Sequence, residues 1–249
     1  MDNASHTKDS LKTVLFCVWK RWYNFFMDAN LKKIVDIRVK TVIRALEGNN
    51  ITARYVETKE DALKLIKEII PSGSLTATGG SATLNECGII DYLKQNTNYA
   101  DRYAAKTPEE KREAEINAYR ANFYLASANA VTEHGEIYQV DGNSNRISAL
   151  AYGPEKVILV VGINKIVKDL RSAVDRVKRI AAPANATRFG KGCFCEKAGH
   201  CIQNGFDENH LMCAANCGDD TICRNTLIMS KQLNKQRVSV ILVGESLGY

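Results

Sequence analysis

Six of the eight cysteines, Cys193, Cys195, Cys201, Cys213, Cys217 and Cys223, crowd into one short stretch near the C-terminus. Gly190, Gly192, Gly199, Gly205, Gly218, His200 and His210 are interspersed with them, and apolar residues are few. A loop of that composition cannot hold itself together by burial, so thiolates on a metal, or disulfides, are the usual remedy. Cys195 and Cys201, and again Cys217 and Cys223, are separated by five residues, a symmetrical pair of pairs. Four thiolates suit tetrahedral zinc or an iron–sulfur cluster equally on ligand type. Cys193 and Cys213 are alternates for any of the four, while Cys17 and Cys87 sit in apolar helical patterns and read as small buried hydrophobes.

A second constellation is the run Leu75-Thr-Ala-Thr-Gly-Gly-Ser-Ala-Thr-Leu-Asn-Glu. It reads as a strand, a glycine pair, a hydroxyl cap and a helix. Gly79 and Gly80 would let the backbone approach a ligand, and Ser81 and Thr83 add hydroxyl donors where a helix start favours an anion. Asn85 and Glu86 follow one turn on. Glu86 reads equally as a general base in an apolar neighbourhood or as a first-turn acid complementing the helix dipole. The run matches no nucleotide-cofactor fingerprint.

The third lies between residues 128 and 146, where Asn129, Thr132, Glu133, His134, Asp141, Asn143, Asn145 and Arg146 cluster at strand ends. Ligands of open α/β sheets gather outside such ends. Glu133 and Asp141 are candidate bases, Asn143 a candidate ligand contact, and Arg146 a candidate clamp for a carboxylate or phosphate. His134-Gly135 and Asp141-Gly142-Asn143 read equally as plain turns.

The elements that must position these groups follow from hydrophobic period. Helices are expected over 31–46, 59–70, 83–93, 108–121 and 166–181, the last ended by Ala182-Pro183, with one or two helical turns at 146–152. Strands are expected at 52–56, 75–78, 122–128, 130–133, 136–140, 156–161 and 237–243. Such alternation predicts an α/β fold with a mostly parallel sheet covered by helices on both faces, and the Cys-rich loop before its last strand.

With 249 residues, 45% hydrophobic, the chain can build one large core or two modest ones, and the lack of an evident repeat or linker favours one domain. A net charge of +6 is mild, and the basic runs at 32–44 and 165–179 are interspersed with acids. Both read as solvated helix faces, which argues against nucleic acid as a partner. No apolar run reaches the length of a membrane span. Residues 13–19 form a short apolar run between basic residues, similar to a signal peptide but without a small-residue cleavage site. Residues 1–26 therefore read as an extension, either a docking helix or a segment ahead of a true start at Met27. A cytoplasmic location follows as the default, with reduced, metal-binding cysteines.

The segments Gly79-Gly-Ser-Ala-Thr-Leu-Asn-Glu-Cys-Gly, Asn129-Ala-Val-Thr-Glu-His-Gly, Val140-Asp-Gly-Asn-Ser-Asn-Arg, Val161-Gly-Ile-Asn-Lys, Ala181-Ala-Pro-Ala-Asn-Ala and Ile241-Leu-Val-Gly-Glu-Ser-Leu-Gly resemble the LUD-domain, or lactate utilization, family over residues 27–249. The resemblance implies the fold of ribose-5-phosphate isomerase, glucosamine-6-phosphate deaminase and the CoA transferases, the NagB/RpiA/CoA transferase-like superfamily. It links the chain to oxidation of L-lactate to pyruvate beside iron–sulfur partner subunits, although many single-domain relatives have no assigned reaction. It also implies a compact cysteine run, here stretched between Cys201 and Cys217, so Cys213 competes with Cys217 as third ligand. Thr132-Glu133-His134-Gly135 resembles the CoA-transferase motif whose glutamate is a nucleophile, with His where that motif has Asn.

The leading expectation is a metabolic protein that binds a small anionic metabolite, a hydroxy acid or phosphorylated compound, and performs redox or proton-transfer work. Oxidation would need an electron acceptor at the cysteines or on a partner, because no flavin or nicotinamide fingerprint is present. The alternatives are an isomerase or CoA-transferase-like enzyme, and a non-catalytic binding or assembly subunit with structural zinc. A homodimer is left open.

Overall fold

The computed structural model describes residues 28–190, 192–203, 205–208, 210–212 and 217–249. The expectations for residues 1–26, Cys17 and Cys213 lie outside these. The chain divides into two compact units, 1–38 and 39–249. Of the first, the described part is the start of helix α1 (Ala29–Gly48), capped by Asp28, whose carboxylate accepts from the N–H groups of Asn30 and Leu31. Leu31, Ile34 and Ile37 are exposed there. In the second unit α1 buries Val39, Val42 and Leu46.

The second unit runs β1 (Thr52–Val56), α2 (Lys59–Ile69), β2 (Leu75–Thr78), α3 (Ala82–Glu86), α4 (Ile89–Asn96), β3 (Asn98–Tyr99), α5 (Pro108–Tyr119) and β4 (Phe123–Ala126). Thr58 and Thr107 cap α2 and α5, each accepting from the N–H three residues on. The single helix expected over 83–93 is two, because Gly88 takes φ 67° between them. Then come β5 (Ala130–Thr132), β6 (Ile137–Asp141), α6 (Asn145–Ala151) and β7 (Lys156–Gly162).

β1, β10 (Val238–Val243), β7, β4, β2 and β3 lie side by side in that order, all parallel, with Leu159 of β7 opposite Val240 of β10. Ile158 and Val160 face Ala62, Ile66, Leu84, Ile89 and Leu93 of α2, α3 and α4. The alternate residues Val157, Leu159 and Val161 are equally buried. A strand covered on both faces must be apolar throughout, which is why residues 157–161 read as an unbroken β-branched run.

The expected helix over 166–181 is a correction. A 3-10 turn (Ile163–Lys165) and a short strand, β8 (Ile166–Val167), precede α7 (Leu170–Arg176). The chain then passes through a π turn (Val177–Ala181) straight into α8 (Ala182–Phe189). In the wider turn the N–H of Ala182 reaches the carbonyl of Val177, and the next residue, Pro183, sits in the first turn of α8, where its missing N–H does no harm. A short helix, α9 (Phe194–Ala198), opens the cysteine loop. The sequence reading also missed β9 (Asn225–Met229), and with it a second sheet in the order β8-β5-β6-β9. The antiparallel β5–β6 hairpin is the one expected around His134-Gly135. This sheet packs Ala130, Tyr138 and Val140 against Ala173, Val174, Val177 and Ala181 of α7 and the π turn.

Candidate functional site

Because β7, β4 and β2 are neighbours and parallel, their carboxyl ends open on one place. β2 delivers Gly79, Gly80 and Ser81, β4 delivers Ser127 and Asn129, and β7 delivers Lys165. A cleft of 470 Å³ lies there, bordered by Gly80, Ser81, Ser127, Asn129, Lys165 and, from the segments around it, Arg102, Asp141, Asn143, Arg146, Arg188 and Thr221. This is the position at which open α/β sheets hold ligands.

The glycine pair has a steric reason. A Cβ on Gly79 would stand 2.8 Å from Cγ and Cδ of Arg146, and one on Gly80 would stand 2.8 Å from the Tyr103 hydroxyl and 3.5 Å from the Arg102 guanidinium. Glycine thus lets three cationic or polar side chains lie directly on the turn. Ser81 caps α3, its hydroxyl accepting from the N–H of Leu84 at 3.2 Å.

Arg146 donates through Nη2 to the Val140 carbonyl at 2.6 Å and to Asn129 Oδ1 at 3.2 Å. Its Nε is buried and has no hydrogen-bond partner among the described residues. Asp141, its charge partner, is already used. Oδ2 accepts from the N–H groups of Arg146 and Ile147, and Oδ1 from that of Asn143, so the carboxylate caps α6. Arg102 repeats the pattern: Nη2 donates to the Tyr103 hydroxyl at 2.9 Å while its Nε is buried and unpaired.

Lys165 and Arg176 correct the reading of residues 165–179 as a solvated basic face. Lys165 is 2% exposed, Arg176 7%, and Lys178 is fully buried. Arg176 spends its guanidinium on the carbonyls of Asn164 and Asn129. Lys165 donates to Thr83 Oγ1 at 2.8 Å and lies 3.0 Å from Ser127 Oγ. Burial, with Arg176 and Arg146 nearby, lowers the Lys165 ammonium from 10.5 to about 7. Burial likewise lowers Arg176 to about 10. The amphipathic period misleads here because the helix begins only at Leu170, and Lys165 closes the 3-10 turn that follows β7. Its signal was its place three residues beyond a buried strand, in Val161-Gly-Ile-Asn-Lys. Ser127, Arg102 and Arg188 had no signal of their own.

The other candidates are dispersed. Gly80, Ser81, Asp141, Asn143 and Arg146 border the cleft, and Gly79 and Thr83 touch its side chains. Asn85 and Glu86 are exposed, and the Glu86 carboxylate accepts from the Gly248 N–H at 2.8 Å. Glu133 sits in the β5–β6 hairpin, its N–H donating to the Val167 carbonyl, and does not border the cleft.

The cysteine loop shares a wall with the cleft. Thr221, Ile222 and Arg224 border the cleft, and Ile222 packs against Cys193 and Cys195. Burial pushes the Cys223 thiol up to about 12, and the neighbouring Cys195, Cys201, Cys217 and Cys193 add to the shift. Cys195 rises to about 11 for the same reasons. Cys193 and Cys195 share one buried cluster and Cys223 lies in another, with Ile222 packed against both. Among the described residues, however, no three His, Cys, Asp or Glu side chains stand so that they could hold a metal ion. Cys87, as expected, is buried in the main core. No described helix is long and apolar enough to cross a membrane.

The model of the LUD domain family matches residues 39–243. Among solved structures, a DUF162 family protein from Deinococcus radiodurans is 14% identical, with 85% of this chain and 97% of that chain aligned at a TM-score of 0.46. The eIF2B delta subunit from Chaetomium thermophilum is 16% identical over 56% of this chain and 54% of its own, with a TM-score of 0.28. The tetrameric eIF2B-beta2-delta2 complex from the same organism gives 15% identity, 85% and 60% coverage, and a TM-score of 0.35. No curated protein matches the chain.

Proposed function

This chain belongs to the LUD domain family, and we propose that it is a metabolic protein whose cleft binds a small anion, a hydroxy acid or a phosphorylated compound. One observation carries the reading: two arginines that border the cleft, Arg102 and Arg146, each keep a buried Nε–H without an acceptor among the described residues. Orphaned buried donors of this kind are costly unless a ligand satisfies them. Arg188 adds positive charge at the border of the cleft, and the guanidinium fork suits carboxylate or phosphate oxygens.

Proton transfer rather than hydride transfer is the chemistry these side chains support. Lys165 titrates near neutrality, within the range useful to a general acid or base. A non-catalytic binding subunit would use the same arginines without needing that amine.

A thermal-shift panel on the full chain tests the reading, with L-lactate, glycolate, pyruvate, ribose 5-phosphate and inorganic phosphate as probes. Stabilisation by at least one of them, lost in Arg146→Met, is the expected outcome. No stabilisation at millimolar concentration, or equal stabilisation of the variant, would contradict it.

For the cysteine loop we propose zinc or an iron–sulfur cluster, supported by the density of cysteines and the paired spacing of Cys195 with Cys201 and Cys217 with Cys223. The ligand set is not formed by the described residues alone. Metal analysis and an absorption spectrum of protein purified without oxygen separate a colourless zinc site from an iron–sulfur cluster.

A further inference from the structure

The side chains of Thr83, Lys165 and Ser127 come from three separate segments and meet inside the protein. Thr83 is fully buried, Lys165 is 2% exposed and Ser127 6%. Their hydrogen bonds have a direction. The Thr83 hydroxyl donates to the Leu247 carbonyl, so its oxygen is free to accept from Lys165 Nζ at 2.8 Å. Lys165 Nζ also donates to Ser127 Oγ at 3.0 Å, and once the ammonium gives up a proton its lone pair is within reach of that hydroxyl, so the same contact can run the other way. Ser127 is held from behind as well, its carbonyl accepting from Gln139 Nε2 at 2.8 Å. Both Ser127 and Lys165 border the cleft. A hydroxyl within reach of a base that a third group orients is the general signature of an activated nucleophile.

We infer that Ser127 and Lys165 form a nucleophile–base pair for acyl transfer, oriented by Thr83, acting on an ester or thioester whose acyl group carries a carboxylate or phosphate. The inference rests on the cleft being an anion site, since the arginines would hold that charged group. Ser127 Oγ bonds to the acyl carbon and the bond to the alkoxide or thiolate breaks. The Ser127 proton passes to Lys165 Nζ and from there to the leaving group. Water then attacks the acyl-serine, gives a proton to Lys165, and leaves as the free acid while Ser127 recovers its hydrogen. No electrons are exchanged. The groups that face Lys165 are Arg176 from α7, Arg146 from α6, and Glu86 and Cys87 from the α3 end. The two arginines favour the neutral amine and Glu86 opposes them.

The probe is 4-nitrophenyl succinate, an activated ester with a free carboxylate, added to the full-length protein. Nitrophenolate release is followed alongside intact-mass and peptide-mapping analysis. The expected result is a succinyl adduct on Ser127 that forms faster as pH rises through about 7, the value at which Lys165 loses its proton. Ser127→Ala should carry no adduct. Lys165→Met, of similar shape, should slow acylation by about 100-fold or more while its circular dichroism and melting remain those of a folded protein. An adduct on Lys165 or elsewhere, or none, overturns the pair. Titration of succinate distinguishes the two failures: binding without acylation leaves the anion cleft standing, whereas absence of both removes the cleft reading too.

Discussion

Arg146 Nε stops 3.7 Å from Asp141 Oδ2, near enough for an ion pair and too far for a hydrogen bond. The gap exists because that oxygen already accepts two backbone N–H groups of α6. Asp141 thus fixes the helix that carries Arg146, and the guanidinium keeps a donor for something else.

The two roles separate by mutation. Asp141→Ala should cost about 1 kcal/mol, as loss of a helix cap does, read by chemical denaturation. Arg146→Lys should leave stability nearly unchanged but reduce affinity for a small carboxylate or phosphate about tenfold, because a point charge cannot replace the fork. Full affinity in the lysine variant would show that Nε–H is not used.

Lys165 should leave a mark on the pH dependence of stability. In the unfolded chain its ammonium titrates near 10.5 and in the fold near 7. Between these values the unfolded state binds more protons, so stability rises with pH across that window. Denaturation of wild type and Lys165→Met at pH 7, 8 and 9 should show the wild type gaining on the variant as pH increases. A constant difference would mean that the lysine titrates normally.

Gly135 is a steric hinge of the second sheet. Its φ is +81°, and a Cβ there would stand 2.7 Å from the Ala45 carbonyl carbon and 2.8 Å from the Leu46 nitrogen, backbone that cannot swing aside. Gly135→Ala should destabilise by roughly 2–5 kcal/mol, visible as a fall in Tm of about 5–15 °C. Gly190→Ala is the control, since its Cβ would meet nothing within 4 Å although φ is also positive. It should cost about 1 kcal/mol.

The thiols of the cysteine loop make a separate prediction. With Cys195 and Cys223 raised to about 11 and 12, these two thiols of metal-free protein should react slowly with a thiol alkylating agent at pH 7, read by peptide mapping. Cys223→Ser should lower the metal content of protein purified without oxygen to half or less. An unchanged content would place the ligands elsewhere.

The parallel sheet was legible because its central strands are buried on both faces, and burial writes itself as runs such as Val157 to Val161. The Gly79-Gly80 turn was legible because a glycine pair between strand and helix has few other uses. Lys165 was not, because a charged residue ahead of an amphipathic helix looks solvated unless the helix start at Leu170 is known. The second sheet was hidden because β8 has only two residues and β9 exposes three of its five, Asn225, Thr226 and Ile228. Ser127 and Arg102 gave no local pattern at all. Their meeting depends on the order in which β7, β4 and β2 are laid side by side, and no periodicity encodes that order.

The most direct test of the anion cleft is a crystal structure of the full chain with the small carboxylate or phosphate that stabilises it most. The account predicts the anion's oxygens within hydrogen-bond distance of Arg102 Nε and Arg146 Nε, beside Gly80 and Ser127. An anion bound elsewhere, with both Nε atoms still unpaired, would contradict it.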